Sequence, residues 1–568
     1  MKAKTKFIMI LFLIILALNI FSIINKAIAI DEMAYISNGY LFLKKGLFFI
    51  DNAPPLIKVL SGIPLLFLNL ELPPNYYDLY ANNKFIEFGA NFLYTANNNP
   101  NLITFLGRIL PILLTFLLAF FVFKWAKELY GLKAGLFALI LYTFSPNILA
   151  GSRLAKTDFG ITCFMFISIY FLWRYMKEEN VKNLVFTAIF FGLAQITKLT
   201  GVFLIPIFIF LLYFSFFKGY LKGKATFKKF LRINYVIVFI LIIGIIMINI
   251  AFVFQGSFTP LGKSLRDDES KYFDKNIFNS NVLSMKIPLI QKASYFYLEK
   301  VPVLLPYPYL KTFVGATKFS YSPAAIGGFM NGKLYPKGGN FFYYAQNFLI
   351  RTPLPLLMLL ILSLIFFKET KSKNELYLLI VPLFVLIYFS MGRSWSGIRY
   401  LMPIYPFLFV FVSKIIKIKK LAFVIIGLMI LFIISSLSVF PHYSTYFNWA
   451  VGGPSQGYRY FSDGSFDMGQ DLKLLGDYIE ENDISNVKLA YFGEADPNYY
   501  NIPHTYLVYH ANLEGKDIEN CTEQTGIIAI SITYLQPTQM LNNSECFSWL
   551  REYEPKEKIG NTIFVYST

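Results

Sequence analysis

"FIMILFLIILALNIFSIINKAIAIDE" (residues 7–32) is an apolar run from Phe7 to Ala29 that stops at two adjacent carboxylates, Asp31 and Glu32. About 20 apolar residues carry a helix across the hydrocarbon core of a bilayer. The stretch therefore reads as a first membrane span, with Lys2, Lys4 and Lys6 on its cytoplasmic side. "AIA" at 27–29 has the small-residue pattern of a signal-peptidase site, and cleavage there leaves Asp31 almost at a free N-terminus. The apolar run is longer than the roughly 7–15 residues of a signal h-region, which favours a retained helix.

The rest of the chain agrees with a membrane protein. Of 568 residues, 56% are hydrophobic, 18% aromatic and only 15% charged, with a mean hydropathy of +0.51; an ordinary soluble domain is far less apolar. The net charge of +18 does not point to nucleic acid, because the basic residues sit in short clusters between apolar runs. Eleven spans are expected near residues 7–29, 103–123, 134–150, 158–175, 183–197, 200–217, 233–254, 352–367, 376–391, 400–413 and 421–440. Every second loop is basic: Lys124/Lys127/Lys133, Arg174/Lys177/Lys182, Lys218 through Arg232, Lys368/Lys371/Lys373 and Lys414/Lys417/Lys419/Lys420.

That alternation places the N-terminus in the cytoplasm and three long segments outside: 30–101, 255–350 and the tail from 441. The expected organisation is a transmembrane domain over 1–440 and an external α/β domain over 441–568. In the tail, "QDLKLLGDYIEEN" has helical apolar spacing, while "VKLAYFG", "GIIAISITYL" and "NTIFVYS" read as strands. Sequons at Asn520 and Asn542 fit an external tail. Cys521 and Cys546 can pair if the tail is outside, and Cys163 reads as packing. No internal repeat stands out.

Carboxylates often mark where a helix leaves the bilayer, which is the ordinary reading of Asp31 and Glu32. Their company argues for more. Asp158 opens the fourth span on the same side, and Arg108, Arg153, Lys156, Arg393 and Arg399 fall near the external face, against the topological bias. Charges near the bilayer are costly and mark functional sites or buried pairs. A carboxylate beside several cations suits a general base facing a bound phosphate. The histidines, His442, His504 and His510, lack ligand spacing, so no metal site is assigned. A carboxylate-bound divalent ion stays open.

These residues also carry a family resemblance. "DEMAYISNGYLFLKKGLFFIDNAPPLIKVLSGIPLL" resembles the first external loop of the family 39 glycosyltransferases: Asp-Glu, an aromatic, Gly-Tyr, then His-Pro-Pro-Leu and a Lys. That group includes the protein O-mannosyltransferases and, more distantly, the lipid A aminoarabinose transferases. The similarity continues in order through "GRILPILL", "LYGLKAGLFALILYTFSPNILAGSRLAKTD", "FGLAQITKLTGVFLIP", "GIRYLMPIYPFL" and "YFNWAVGGPSQGYRYFSDGSFDMGQDLKLLGDYIEEN".

The resemblance implies a C-type glycosyltransferase fold and a polyprenyl (dolichyl-type) monophosphate sugar donor. Asp31 aligns with the acidic residue that deprotonates or orients the acceptor hydroxyl, and Glu32 with its positioning partner. Arg108 matches an Arg that binds the phosphate or holds Asp31; an interfacial snorkelling Arg is the other reading. Asp158 matches a second-loop Asp, with a helix N-cap as the alternative. Arg399 and Lys58 are further phosphate ligands by this resemblance, although a surface Lys looks identical to the latter. Lys198 either joins the site, snorkels or pairs with a carboxylate. Tyr35, Tyr343 and Tyr344 offer aromatic faces for sugar or polyprenyl, or belong to an ordinary aromatic belt. The chain departs from the pattern at Ala53, where the family commonly has His.

The expected function is transfer of one sugar from the lipid carrier to an external hydroxyl of a protein, lipid or glycan, with inversion and no required cofactor. A transporter is the rival from another class, but the absence of a two-halves repeat and the long external segments argue against it. A scaffold that kept the fold and lost the chemistry is a third reading. The Trp-Trp-Asp signature of oligosaccharyltransferases is missing.

Overall fold

The computed structural model describes residues 2–51, 53–223, 226–260, 300–320, 327–370, 374–509 and 518–568. Lys371, Lys373, His510 and parts of the expected external segment 255–350 lie outside the described residues. Each of the eleven expected spans coincides with apolar helix. By length and composition, six helices among the described residues are able to cross a membrane: Lys4–Ile23, Pro100–Tyr130, Thr157–Glu178, Leu199–Tyr220, Phe227–Ala251 and Lys419–Leu437. Two bent pairs raise this to eight.

The other segments are shortened or bent, and proline accounts for several of the breaks. Leu132–Thr143 and Pro146–Ser152 meet at 62°, and Tyr343–Arg351 and Leu354–Ile365 at 108°. The second helix of the first pair starts at Pro146, whose missing N–H is harmless only at a helix start. Val181–Gln195 and Leu376–Met391 are apolar but short. The expected span 400–413 is a 3-10 turn, Ile398–Leu401, followed after Pro403 by the helix Ile404–Val412. Between Gln195 and Leu199 the chain extends at Lys198, with φ −152° and ψ 143°. The helix Val181–Gln195 and the turn Leu199–Phe203 are thus separated at Lys198.

After the first span the chain turns and enters the helix Glu32–Lys45, which stops at Gly46 in the left-handed conformation. This helix crosses Leu56–Gly62 at Gly39 and Gly62, backbone against backbone. A Cβ at Gly39 would run into the Lys58 carbonyl. The segment after the first span is therefore a packed helical layer.

The tail carries a six-stranded sheet. A hairpin of β1 (Gly328–Met330) and β2 (Lys333–Tyr335) precedes it in the chain. Its own strands are β3 (Val487–Ala490), β4 (His504–Tyr509), β5 (Ile518–Glu519), β6 (Ile527–Ser531), β7 (Glu557–Ile559) and β8 (Ile563–Ser567), in the order β5-β4-β3-β6-β8-β7. β3 runs parallel to β4 and β6, and the remaining pairs are antiparallel. The three strands read from the sequence are β3, β6 and β8. The helix Leu472–Glu481 buries Leu472, Leu475 and Ile479 with Val487 and Leu489 of the sheet. Cys521 and Cys546 form a disulfide.

The tail also grips the membrane-spanning part. The N–H groups of Ala27 and Ile30 donate to the Gln470 and Met468 carbonyls at 3.0 and 2.9 Å. Lys26 pairs with Asp471, and Arg351 with Asp463 at 3.2 Å. The last span ends at Leu437, and the chain beyond it packs closely against the spans.

Candidate active site

Asp31 caps the helix Glu32–Lys45 at φ 72° and ψ −26°, in the left-handed region that non-glycine residues enter uncommonly. Its side chain is 42% exposed, 3.2 Å from Lys156 Nζ and 3.7 Å from Arg399 Nη1. Burial in the cleft pushes the carboxyl up, but the Lys156 and Arg399 cations outweigh it and hold Asp31 below the usual carboxylate range. It is an ionised acceptor at neutral pH.

Glu32 is built oppositely. It is fully buried and accepts from Arg108 Nε at 3.0 Å and Nη2 at 2.5 Å, from Ala29 N–H at 2.9 Å and from Ala155 N–H at 2.7 Å. One carboxylate thereby joins the backbone just before Asp31 to the backbone just before Lys156. Its positioning of Asp31 runs through the chain. Arg108 is itself buried and also donates to the Ala27 carbonyl at 2.9 Å. It holds Glu32 rather than Asp31, in the bidentate geometry that suits guanidinium and carboxylate.

Lys58 is buried in an ion pair with Asp51 and donates to the Ala53 carbonyl at 2.8 Å. The Ala53 N–H returns to Asp51 at 3.0 Å. The position where the family has His is thus inside a closed turn. Lys58 meets the site only beneath Tyr35, 5.7 Å from the ring centre.

Asp158 pairs with Lys198 Nζ at 2.5 Å. Lys156 holds the cap position of Thr157–Glu178, so the N-cap reading of Asp158 is not realised. Lys198 also lies 4.2 Å over the Tyr400 ring. Of the three cleft cations Arg399 is the most loosely paired, with its ion-pair partner Asp31 at 3.7 Å against 3.2 Å for Lys156 and 2.5 Å for Lys198; its Nε is buried without a hydrogen bond, as are those of Arg153 and Arg351. Its backbone N–H is fixed by Ser465 Oγ at 3.1 Å. Tyr35 lies within electrostatic reach of Asp31, Asp158 and Arg399. Tyr343 and Tyr344 are interior: Tyr343 stacks on Trp395 at 4.2 Å, and Tyr344 donates to the Ser394 carbonyl.

Two cavities share Asp158 and Arg399. One has Lys198 at its polar end and Met165, Phe203, Val385 and Phe389 along its wall. The other is lined by Lys156 and Ser465 together with the apolar Leu154, Ile398, Met402 and Met468. Around their junction the cations Lys156, Lys198 and Arg399 face the carboxylates Asp31 and Asp158. That balance leaves one positive charge in excess. Among the described residues there is no group of three or more His, Cys, Asp or Glu side chains able to hold a metal ion.

Sequence reasoning left Lys156 outside the site and missed Ser465. Lys156 had a signal, a cation two residues before Asp158. Ser465 had none, because it reaches the Arg399 backbone from the tail.

Residues 104–248 match the family model of dolichyl-phosphate-mannose-protein mannosyltransferases. This segment is related to the protein O-mannosyltransferases. It contains Arg108, Lys156, Asp158 and Lys198. No curated protein sequence matches the chain. Among solved structures, ArnT from Cupriavidus metallidurans bound to undecaprenyl phosphate is 12% identical, covers 99% of this chain and 98% of its own, and has a TM-score of 0.47. The oligosaccharyltransferase AglB from Archaeoglobus fulgidus, in complex with an inhibitory peptide and a dolichol-phosphate, is 12% identical over 91% of this chain and 62% of its own, with a TM-score of 0.43. The Pmt1-Pmt2 complex of S. cerevisiae bound to the sugar donor is 16% identical over 45% and 36%, with a TM-score of 0.32.

Proposed function

We propose that this chain is a C-type membrane glycosyltransferase that moves one sugar from a polyprenyl monophosphate carrier to an acceptor hydroxyl, with inversion. One observation carries it: an under-coordinated Arg399 and an ionised Asp31 share a cleft whose apolar arm leads away between membrane helices. The cavity between the apolar helices suits isoprene units and the surplus positive charge a phosphate, which leaves the cavity beside Lys156 and Ser465 for the sugar and its acceptor. The family match over residues 104–248 supports the same class.

In the proposed displacement the acceptor oxygen attacks the anomeric carbon and the bond from that carbon to the phosphate oxygen breaks. The phosphate leaves with the bonding electrons, stabilised by Arg399 and Lys198, and the hydroxyl proton passes to Asp31. Glu32 and Arg108 keep Asp31 and Lys156 in register. The basic loops argue for a cytoplasmic N-terminus, and the Cys521–Cys546 disulfide fits a tail on the oxidising, external side.

The test uses purified protein in lipid with a panel of radiolabelled polyprenyl-phosphate sugars, comparing wild type with Asp31→Asn. Binding by both, with sugar release by wild type alone, is the expected result and identifies the sugar. Absence of binding across the panel overturns the donor assignment, and equal release by the variant overturns the role of Asp31.

A further inference from the structure

Arg399 is rooted in a short, weakly bonded piece of backbone. The turn Ile398–Leu401 interrupts an apolar segment, and two of its bonds, Tyr400 N–H to the Gly397 carbonyl and Met402 N–H to the Arg399 carbonyl, are 3.3 Å long, beyond the usual range of about 2.7–3.2 Å. Firmer anchors come from the tail. Ser465 Oγ accepts from the Arg399 N–H at 3.1 Å and donates to the Ser396 carbonyl at 2.7 Å, so one hydroxyl clamps the backbone on both sides of Gly397. Gly397 lies at φ 74°, and a Cβ there would come within 2.1 Å of Asp463 Oδ1 and 2.4 Å of Ser465 Oγ. Glycine lets the tail approach this closely. Ser465 is fixed in turn: its N–H donates to Asp463 Oδ1 at 2.9 Å, and Asp463 accepts from Arg351 Nη1, Tyr343 OH and Asn347 Nδ2, each at 3.2 Å. Both residues are buried. Between them Gly464 runs beside the guanidinium, where a Cβ would stand 3.7 Å from Arg399 Nη2.

We propose that Ser465, supplied by the C-terminal tail, is a positioning residue of the transfer site: backed by Asp463, it fixes the Arg399 backbone so that the guanidinium is presented to the donor phosphate. This rests on the transferase reading above. Arg399 lines both cavities and Ser465 the one beside Lys156. A long side chain holds a phosphate well only when its root is fixed, because a fixed root lowers the cost of ordering it on binding. The same stretch of tail continues to Met468, whose Sδ accepts from Lys156 Nζ at 3.5 Å and whose carbonyl accepts from the Ile30 N–H at 2.9 Å. One strap thereby keeps Arg399, Lys156 and the approach to Asp31 in common register.

The experiment measures donor binding and sugar release with the radiolabelled polyprenyl-phosphate panel, dolichyl phosphate mannose included, by the full chain in lipid: wild type, Ser465→Ala, Ser465→Thr, Arg399→Gln and the double variant Ser465→Ala/Arg399→Gln. Ser465→Ala should raise the donor Kd about threefold to tenfold, the scale of one lost hydrogen bond. Ser465→Thr keeps the hydroxyl and should recover most of that loss. In the Arg399→Gln background the serine substitution should leave the donor Kd nearly unchanged, because its effect runs through the guanidinium; general structural damage weakens both backgrounds alike. Wild-type binding by Ser465→Ala, equal weakening in both backgrounds, or Ser465→Thr no better than Ser465→Ala overturns the proposal, while binding and release by wild type leave the transferase reading standing. No binding or release by wild type across the panel overturns both. If Ser465→Ala does not fold, Gly464→Val decides: crowding of the guanidinium should weaken donor binding, and wild-type binding there overturns the proposal.

Discussion

Two populations of buried charge divide this molecule. In the framework, each cation is closed off by its partner: Arg108 by Glu32, Lys58 by Asp51, Lys26 by Asp471 and Arg351 by Asp463. In the cleft, Asp31 is partly exposed and stands at 3.2 and 3.7 Å from two cations, and Arg399 is 24% exposed and lines both cavities. The same residue types serve both, and neighbours Asp31 and Glu32 fall on opposite sides of the divide. Close pairs fix geometry, and Arg351 does so even with its Nε unpartnered. Buried charge alone therefore does not identify a site; the cleft stands apart because its charges are loosely paired and open onto cavities.

That contrast can be broken experimentally. The largest effect on chemistry is expected from Asp31→Asn, which should lower sugar release about 10²- to 10⁴-fold, the usual scale for loss of a general base, without loss of donor binding or expression. Arg108→Ala should act on the fold, costing about 3–5 kcal/mol by leaving Glu32 charged and buried without its partner. Thermal unfolding in detergent measures it, and a normally folded but inactive Arg108→Ala would move Arg108 into the cleft population. Arg399→Gln should weaken donor binding by about 1.5–3 kcal/mol, the scale of a hydrogen bond to a charged group, with little change in unfolding temperature.

The pH profile sharpens the same distinction. Because Asp31 must be ionised to accept a proton and is held below the usual range, wild-type release should persist down through about pH 3.9, the ordinary Asp value. Its acid limb should move upward in Arg399→Gln, since one of the cations holding the carboxyl down is gone. The smallest effect is expected at the family departure: Ala53→His forces a ring into a buried turn closed by Asp51 and Lys58, at about 1–3 kcal/mol of stability. A gain in turnover there would show that the cleft reaches that turn.

What the sequence by itself determined is the part written in local pattern. Apolar run length placed apolar helix at each expected span, since a helix in a bilayer must satisfy its backbone internally and cover its surface with apolar groups, but six such helices, or up to eight with the bent pairs, are long enough to cross among the described residues. Alternation of residue type found β3, β6 and β8 in the tail, and the Asp-Glu pair with its company of cations named Asp31, Asp158 and Arg399. Tertiary structure decided which charges are spent on one another. Arg108 reaches Glu32 across 76 positions of chain, Lys198 reaches Asp158 across 40, and Lys26 reaches Asp471 across 445. Ala27 and Ile30 meet Gln470 and Met468 only because the tail folds back over the end of the first span. No local spacing encodes such pairings, because electrostatic partners are set by distance through space, and packing of the whole chain fixes that distance.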